Sequence, residues 1–136
     1  SIVPSQIDVV LEEILRYRSP LQARARKTTQ QTQIGNMTIP QNETVILWIG
    51  SANRDPDVFE NPDTFIPERA PDHIAFGSGS HTCIGAPLAR LEASIILKTL
   101  FEYFEDISVR DSYIPLSKPS DLGFENLPVK TEPNQM

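Results

Sequence analysis

The sequence is short of cysteine, of positive charge and of long apolar runs, and each shortage excludes a class of protein. The single cysteine, Cys83, cannot form an internal disulfide, so a reducing compartment suits the chain and the thiol is free for chemistry or for burial. No apolar run is long enough to cross a bilayer, and the first residues lack the basic and apolar zones of a signal peptide. We therefore expect a cytoplasmic protein that is not membrane-embedded.

Positive charge is outnumbered by negative charge. Twelve Lys and Arg residues against eighteen Asp and Glu residues give a net charge of -6, which argues against nucleic acid or an anionic membrane surface as the main partner. With 39% hydrophobic and 22% charged residues, the 136-residue chain has the composition of one soluble globular domain. It begins with Ser rather than Met, so we expect a processed product or part of a longer polypeptide.

Hydrophobic periodicity predicts two long helices. Apolar residues recur at helical intervals over residues 6–18, and the spacing of Ser5 and Asp8 is that of a capping box with Asp in place of Glu. A second apolar stripe predicts a helix over residues 86–104. The second helix follows directly after the only cysteine.

Strands are predicted between these helices. Residues 22–33 are rich in Thr, Gln and Arg, which suits an exposed strand. Turn residues flank a short strand at 37–39, and the apolar run at 44–49 predicts a buried strand.

Periodicity disappears over residues 53–82, where prolines punctuate the chain. So long a structureless stretch is usually functional or a linker, and its phenylalanines indicate that it is packed. Residues 106–129 contain short candidate strands broken by prolines, and we expect residues 131–136 to fray.

The sharpest feature is the loop around the cysteine, FGSGSHTCIG at residues 76–85. A loop with three glycines brings backbone close to a flat or bulky group. Cys83 precedes a predicted helix, whose N-terminus stabilises a thiolate that could ligate a metal or act as a nucleophile. The residues alone leave open a buried, inert cysteine, or a Cys83 and His81 pair that performs nucleophilic catalysis.

This loop resembles the haem-ligand signature of the cytochromes P-450, F-x-x-G-x-H-x-C-x-G leading into L-A-R-x-E, and matches every fixed position. The resemblance implies a mainly α fold with small β sheets, of which residues 1–136 are the mixed α and β, C-terminal haem-binding segment. It implies haem b held non-covalently, with Cys83 as the catalytic thiolate and axial iron ligand. The cofactor-binding residues that it implies are Cys83, Arg26, His81, His73, Phe76, Gly77, Gly79 and Gly85, of which Arg26 and the two histidines would bind haem propionates.

Separate motifs extend the resemblance. Glu13 and Arg16 would form only a weak surface pair by themselves, but they match the family's E-x-x-R motif, and Arg69 matches the arginine that completes its buried structural triad. The Asn53-Arg54-Asp55-Pro56 element is also similar to one in the family. The substrate-pocket residues that the resemblance implies are Pro20, Leu21, Gln22 and Ala23.

The function that the resemblance implies is a monooxygenase that inserts one atom of O2 into a small apolar organic substrate. Electrons would come from a ferredoxin-like or flavoprotein donor docking near Cys83, Arg90 and Lys98. The oxygen-activating helix of the family has no counterpart here, so the N-terminal part of the same enzyme would be a required partner. The alternatives are a haem-thiolate sensor or carrier without turnover, and a non-haem scaffold module.

Overall fold

The computed structural model describes residues 4–118 and 120–134. Two long helices, α1 at Ile7–Tyr17 and α3 at Ala86–Tyr103, pack against each other, and a single helical turn, α2, spans Ile49–Ala52. Two 3-10 turns, Pro4–Gln6 and Gly79–His81, precede α1 and α3 respectively. None of the helices in these ranges is long and apolar enough to cross a membrane.

Eight short strands in the described residues form four antiparallel pairs. The pairs are β1 with β4, β2 with β3, β5 with β8, and β6 with β7. Their bounds are Arg24–Lys27 for β1, Thr32–Ile34 for β2, Met37–Ile39 for β3, Thr44–Leu47 for β4, Phe104–Val109 for β5, Ile114–Pro115 for β6, Phe124–Asn126 for β7 and Val129–Pro133 for β8.

The core lies between α1 and the segment that leads into the cysteine loop. Leu11 and Leu15 of α1 are buried with Ala75, and Phe76, Ala93 and Leu97 pack around them. The face of α1 that enters this core therefore has the helical spacing that the sequence predicts.

The apolar stripe of α3 does not face α1. Leu88, Leu91, Ile95 and Ile96 are 58%, 57%, 55% and 57% exposed, whereas Ala93 and Leu97 approach the core. Within this chain, α3 thus presents an uncovered apolar face.

Three predictions about local structure are wrong. Helix α1 has no capping box: it begins at Ile7 after Gln6, and the Asp8 carboxylate accepts hydrogen bonds from Ser94 and Lys98 instead. The exposed strand predicted at 22–33 is two strands, β1 and β2, which belong to different pairs. The strand predicted at 44–49 ends at residue 47 and is largely exposed, because no layer formed by the described residues covers it.

The helix predicted at 86–104 is confirmed as α3. The tail contains the expected short strands, but β8 continues to Pro133 because it pairs with β5. Residues 135 and 136, for which fraying was predicted, lie outside the described residues.

Candidate cofactor site

Two adjoining cavities form one groove beside the cysteine loop. Their volumes are about 400 and 280 Å³, close to or within the range of roughly 300–1,000 Å³ that is typical of ligand sites. The residues that line both cavities are Arg24, Arg26, Ile49, Gly77 and His81.

The walls of this groove are apolar, with cationic side chains at the shared part. Ile49, Ala52 and Ile74 line the first cavity, and Phe76 and Cys83 line the second. Arg24 and Arg26 come two residues apart on β1, so the alternation of a strand places them on the same side. The groove therefore suits a flat, largely apolar ligand that carries anionic groups on one edge.

The cysteine loop is closed by backbone hydrogen bonds. The Cys83 N–H donates to the Phe76 carbonyl at 2.9 Å, and the Ala86 N–H donates to the Cys83 carbonyl at 3.2 Å. Gly77 and Gly79 have φ angles of +77° and +76°, which residues with a Cβ rarely adopt. These bonds leave the Cys83 thiol exposed at the N-terminus of α3.

Gly85 differs from the other two glycines of the loop. Its φ angle is -82°, and a Cβ added there would lie 3.8 Å from the Cys83 sulfur, an ordinary contact distance. Neither backbone conformation nor space within this chain requires glycine at this position. A role for Gly85 beside the cofactor stays a prediction.

A buried ion cluster lies behind the loop segment. The Arg16 guanidinium binds Glu13 through two hydrogen bonds, at 2.7 and 2.8 Å, and both side chains are 0% exposed. Arg69 Nε lies 3.2 Å from Glu13 Oε1, which also accepts the Ile66 N–H at 2.9 Å. The three residues of the predicted triad are thus in contact.

The triad fixes the segment that has no regular structure. Residues 53–78 contain no helix or strand, so their backbone groups need other partners. Arg16 donates to the carbonyls of Asn53, Pro62 and Thr64, and Arg69 donates to those of residues 60, 61 and 64. Although desolvation favours its neutral form, hydrogen bonds from Arg16, Ile66 and Arg69 leave the pKa of the Glu13 carboxyl below its usual value.

Sequence comparison decides the family. The family model described as Cytochrome P450 matches residues 7–133, nearly the whole chain. The chain belongs to the cytochrome P-450 family. Its fold is accordingly a fragment of the P-450 fold, and the cofactor of the family is haem b.

Relatives from bacteria and archaea support the same assignment. The chain is 41% identical over 128 residues to cytochrome P-450 119 of Sulfolobus acidocaldarius, covering 92% of this chain and 34% of that protein. It is 43% identical over 136 residues to the biotin biosynthesis cytochrome P-450 of Bacillus subtilis, covering 95% of this chain and 33% of that protein. It thus spans about a third of the length of these relatives.

A solved structure shows the same fold. The crystal structure of P450BioI in complex with an acyl carrier protein ligated to hexadec-9Z-enoic acid superposes with a TM-score of 0.90 at 42% identity. The match covers 95% of this chain and 34% of that one. The arrangement of the loop and the two long helices is therefore that of a P-450.

The groove residues fit a P-450 haem. The groove has largely apolar walls, a thiol in one cavity, and two arginines and a histidine where the two cavities meet. This set of groups matches a macrocycle with two carboxylates. Five of the predicted cofactor residues line it together: Cys83, Arg26, His81, Phe76 and Gly77. Arg24, which the sequence did not single out as a ligand, lines it as well, and its strand spacing from Arg26 was the available signal.

His73 has protein partners in this structure, and its role as a haem-propionate donor stays a prediction. Its side chain is 1% exposed, its Nε2 lies 3.1 Å from Glu12 Oε2, and its Nδ1 accepts the Ala75 N–H at 3.1 Å. Both ring nitrogens therefore have a protein partner within the described residues. Burial lowers the pKa of His73, which keeps the ring neutral at neutral pH.

The four predicted substrate-pocket residues do not all line the same cavity. Pro20 and Leu21 line the cysteine side of the groove, and Ala23 is buried. The Gln22 side chain instead donates to the Ser19 carbonyl and lines a different cavity beside Tyr17 and Arg54. The substrate role of Gln22 stays a prediction, although its amide has a local backbone partner in this structure.

Arg90 and Lys98, near which an electron donor was predicted to dock, form ion pairs with carboxylates of α1. Glu12 holds Arg90 through two hydrogen bonds, at 2.7 and 2.8 Å. Lys98 lies 3.1 Å from both Asp8 carboxylate oxygens. Both pairs join α1 to α3, so part of each positive charge is neutralised within the chain.

Proposed function

We propose that this chain carries the haem-ligating part of a P-450 monooxygenase, with Cys83 as the axial thiolate. The observation that carries the proposal is the groove itself, in which Cys83 shares a cavity with Arg24, Arg26 and His81. A thiolate for iron and cations for two propionates are the polar groups that a non-covalent haem b requires.

Each side chain of the groove has a role in holding the cofactor. Arg26 and His81 would bind the propionates, and Arg24 would add a second guanidinium at the part of the groove that both cavities share. Phe76, Ile49 and Gly77 provide apolar contact with the macrocycle, which excludes water from it. When bound, haem supplies the redox-active iron at which O2 is activated, and the Cys83 thiolate increases the electron density on that iron.

The whole enzyme, on this proposal, inserts one oxygen atom into a small apolar organic substrate in the cytoplasm. Leu21 and Ala23 are the substrate-side residues of this chain, and the electron donor is ferredoxin-like or a flavoprotein. The N-terminal part of the same enzyme covers the exposed apolar face of α3, where four large aliphatic side chains are more than half exposed. An electron donor that docks near Arg90 and Lys98 would contact two cations that are already in ion pairs, with Glu12 and Asp8 respectively.

The test uses the chain together with whatever precedes it in its gene, with haem added. The sample is reduced with dithionite under carbon monoxide, and the difference spectrum is recorded. A strongly red-shifted Soret band that disappears in Cys83→Ser is the expected result. If the unsubstituted protein shows no such band, the haem assignment is wrong; if the band forms but a reductant and O2 never oxidise an apolar substrate, the protein is a sensor or carrier.

Arg26→Met provides a second measurement, because it removes a propionate partner and leaves the thiolate. We expect the red-shifted band to remain and haem transfer to apomyoglobin to become about tenfold faster, since a hydrogen bond to a charged group stabilises by on the order of 1.5–3 kcal/mol. Lys27→Met is the matched control, since Lys27 is the neighbouring cation on β1 and lines neither cavity. Equal transfer rates in the two variants would contradict the propionate role of Arg26.

A further inference from the structure

Two adjacent carboxylates on α1 serve different parts of the molecule. Glu13 belongs to the triad, whereas Glu12 points to the other side of the helix and binds residues that flank the cysteine loop. Its oxygens accept two hydrogen bonds from Arg90 and lie 3.1 Å from His73 Nε2 at the nearest. Glu12 thus joins α1, the segment before the loop and α3.

The protonation of this cluster follows from its contacts. The Ala75 N–H donates to His73 Nδ1, so the neutral ring carries its proton on Nε2 and donates it to Glu12. The hydrogen bond from Arg90 holds the pKa of the Glu12 carboxyl below its usual range, against the opposing effect of desolvation. Each polar atom that links the three side chains therefore has a matched partner.

The cluster also contacts the residue that closes the loop. The Arg90 guanidinium lies 4.7 Å from the centroid of the Phe76 ring, and the His73 ring centroid lies 6.3 Å from it. The Phe76 carbonyl accepts the Cys83 N–H. Contacts therefore run from Glu12 through Arg90 to Phe76, and from Phe76 to Cys83.

We propose that Glu12 is a positioning residue that, through His73 and Arg90, holds both ends of the cysteine loop so that Cys83 faces the groove. His73 precedes the loop, and Arg90 follows it in the second turn of α3. The loop itself is exposed and contains two glycines with positive φ, so it has little packing of its own to fix it. The consequence for iron ligation rests on the proposed haem function, whereas the ordering of the loop does not.

The chain offers a matched control in Asp8. Its carboxylate also joins α1 to α3, through Ser94 at 2.6 Å and Lys98 at 3.1 Å, but the structure gives it no contact with Phe76 or His73. Glu12→Gln and Asp8→Asn therefore remove one negative charge each from the same helix interface. Only Glu12→Gln weakens the contacts at the ends of the loop.

The experiment measures amide hydrogen exchange by mass spectrometry on peptides that cover residues 73–83, using the full protein. Exchange in Glu12→Gln is expected to be about tenfold faster than in the unsubstituted protein, because a hydrogen bond to a charged group is worth about that factor in an equilibrium constant. Asp8→Asn should exchange at the unsubstituted rate. Arg90→Lys, which keeps the charge but loses the two-pronged geometry and the ring contact, should resemble Glu12→Gln.

The carbon monoxide difference spectrum is recorded on the same samples. In Glu12→Gln the ratio of the unshifted to the red-shifted Soret band should rise by about the same tenfold, and it should not rise in Asp8→Asn. Equal exchange in Glu12→Gln and Asp8→Asn, or exchange unchanged in Glu12→Gln, overturns the positioning role. Faster exchange in Glu12→Gln together with no red-shifted band in any sample supports the positioning role and overturns the haem proposal instead.

Discussion

Replacement of Arg16 by Met tests how the irregular segment is held. The Arg16 side chain is 0% exposed, and all five of its N–H groups have acceptors. Two donate to Glu13, two from Nη1 go to the carbonyls of Asn53 and Pro62, and one goes to the carbonyl of Thr64. Met fills a similar volume but donates none of these bonds.

The expected loss follows from the groups that remain. Glu13 stays buried as a carboxylate and keeps only the Ile66 N–H and Arg69 as donors. Removing one partner of a buried ion pair costs about 3–5 kcal/mol. A domain has a total unfolding free energy of only ~5–15 kcal/mol, so Arg16→Met should lose at least about a fifth of it.

Urea unfolding of the full protein, followed by circular dichroism, measures this loss. The control is Lys130→Met, because Lys130 pairs with Glu132 on β8 and both side chains are 60% exposed. Such a surface pair is worth about 0–1 kcal/mol. If Arg16→Met falls within about 1 kcal/mol of the control, the triad does not fix the segment and our account of it is refuted.

Two further predictions concern buried polar groups. The Asn53 side chain is 1% exposed, accepts the Ile74 N–H at 2.9 Å and donates to the Ser19 hydroxyl at 2.8 Å. Asn53→Ala should therefore lower the unfolding free energy by about 2–4 kcal/mol. The control is Ser51→Ala, which should cause almost no change because Ser51 is exposed. Urea unfolding checks this, and equal values would contradict it. Because burial lowers the pKa of His73, its neutral form stabilises the fold fully above the unfolded pKa of about 6.5, and this contribution falls as pH drops toward the lowered value. Below pH ~6.5, the urea midpoint of unfolding should therefore decline less in His73→Gln than in the unsubstituted protein. If the midpoint depends on pH identically in the two proteins, the His73 ring is not the cause.

Local patterns predicted much of the fold. Helices α1 and α3 were predicted to within about two residues because their apolar spacing repeats over several turns. Glu13 and Arg16 are three residues apart on one helix, so their contact needs no knowledge of the tertiary structure. The cysteine loop was predicted from its sequence signature, since its glycines and the helix start are local features.

Contacts between distant residues were not predictable in the same way. Glu12 and Arg90 are 78 residues apart, and Asp8 and Lys98 are 90 apart. Each of these residues reads as an exposed charge on a helix, and nothing in the sequence pairs them. The same reason explains His73: its position favoured a cofactor role, whereas its neighbour in space is a glutamate from α1.

The sequence also did not predict which face of α3 packs against α1, because the apolar stripe of α3 is wider than the face that the described residues cover. Periodicity shows that a helix has an apolar side, but not which element will cover it. Ala93, Ser94 and Leu97 approach α1, and four other large aliphatic side chains of α3 remain exposed: Leu88, Leu91, Ile95 and Ile96.

Glu12 and Glu13 show that charged groups, in addition to the apolar core, hold the cofactor side of this chain together. Residues 53–78 have no helix or strand to satisfy their backbone, so burial of apolar side chains such as Phe59 does not by itself provide partners for their N–H and C=O groups. An ion cluster can usually be replaced by apolar residues of similar volume at little cost. Here, replacing Arg16 would leave the carbonyls of Asn53 and Pro62 without donors, because Arg16 donates to these carbonyls in addition to Glu13. The charges on α1 therefore act as the backbone partners that regular structure would otherwise supply.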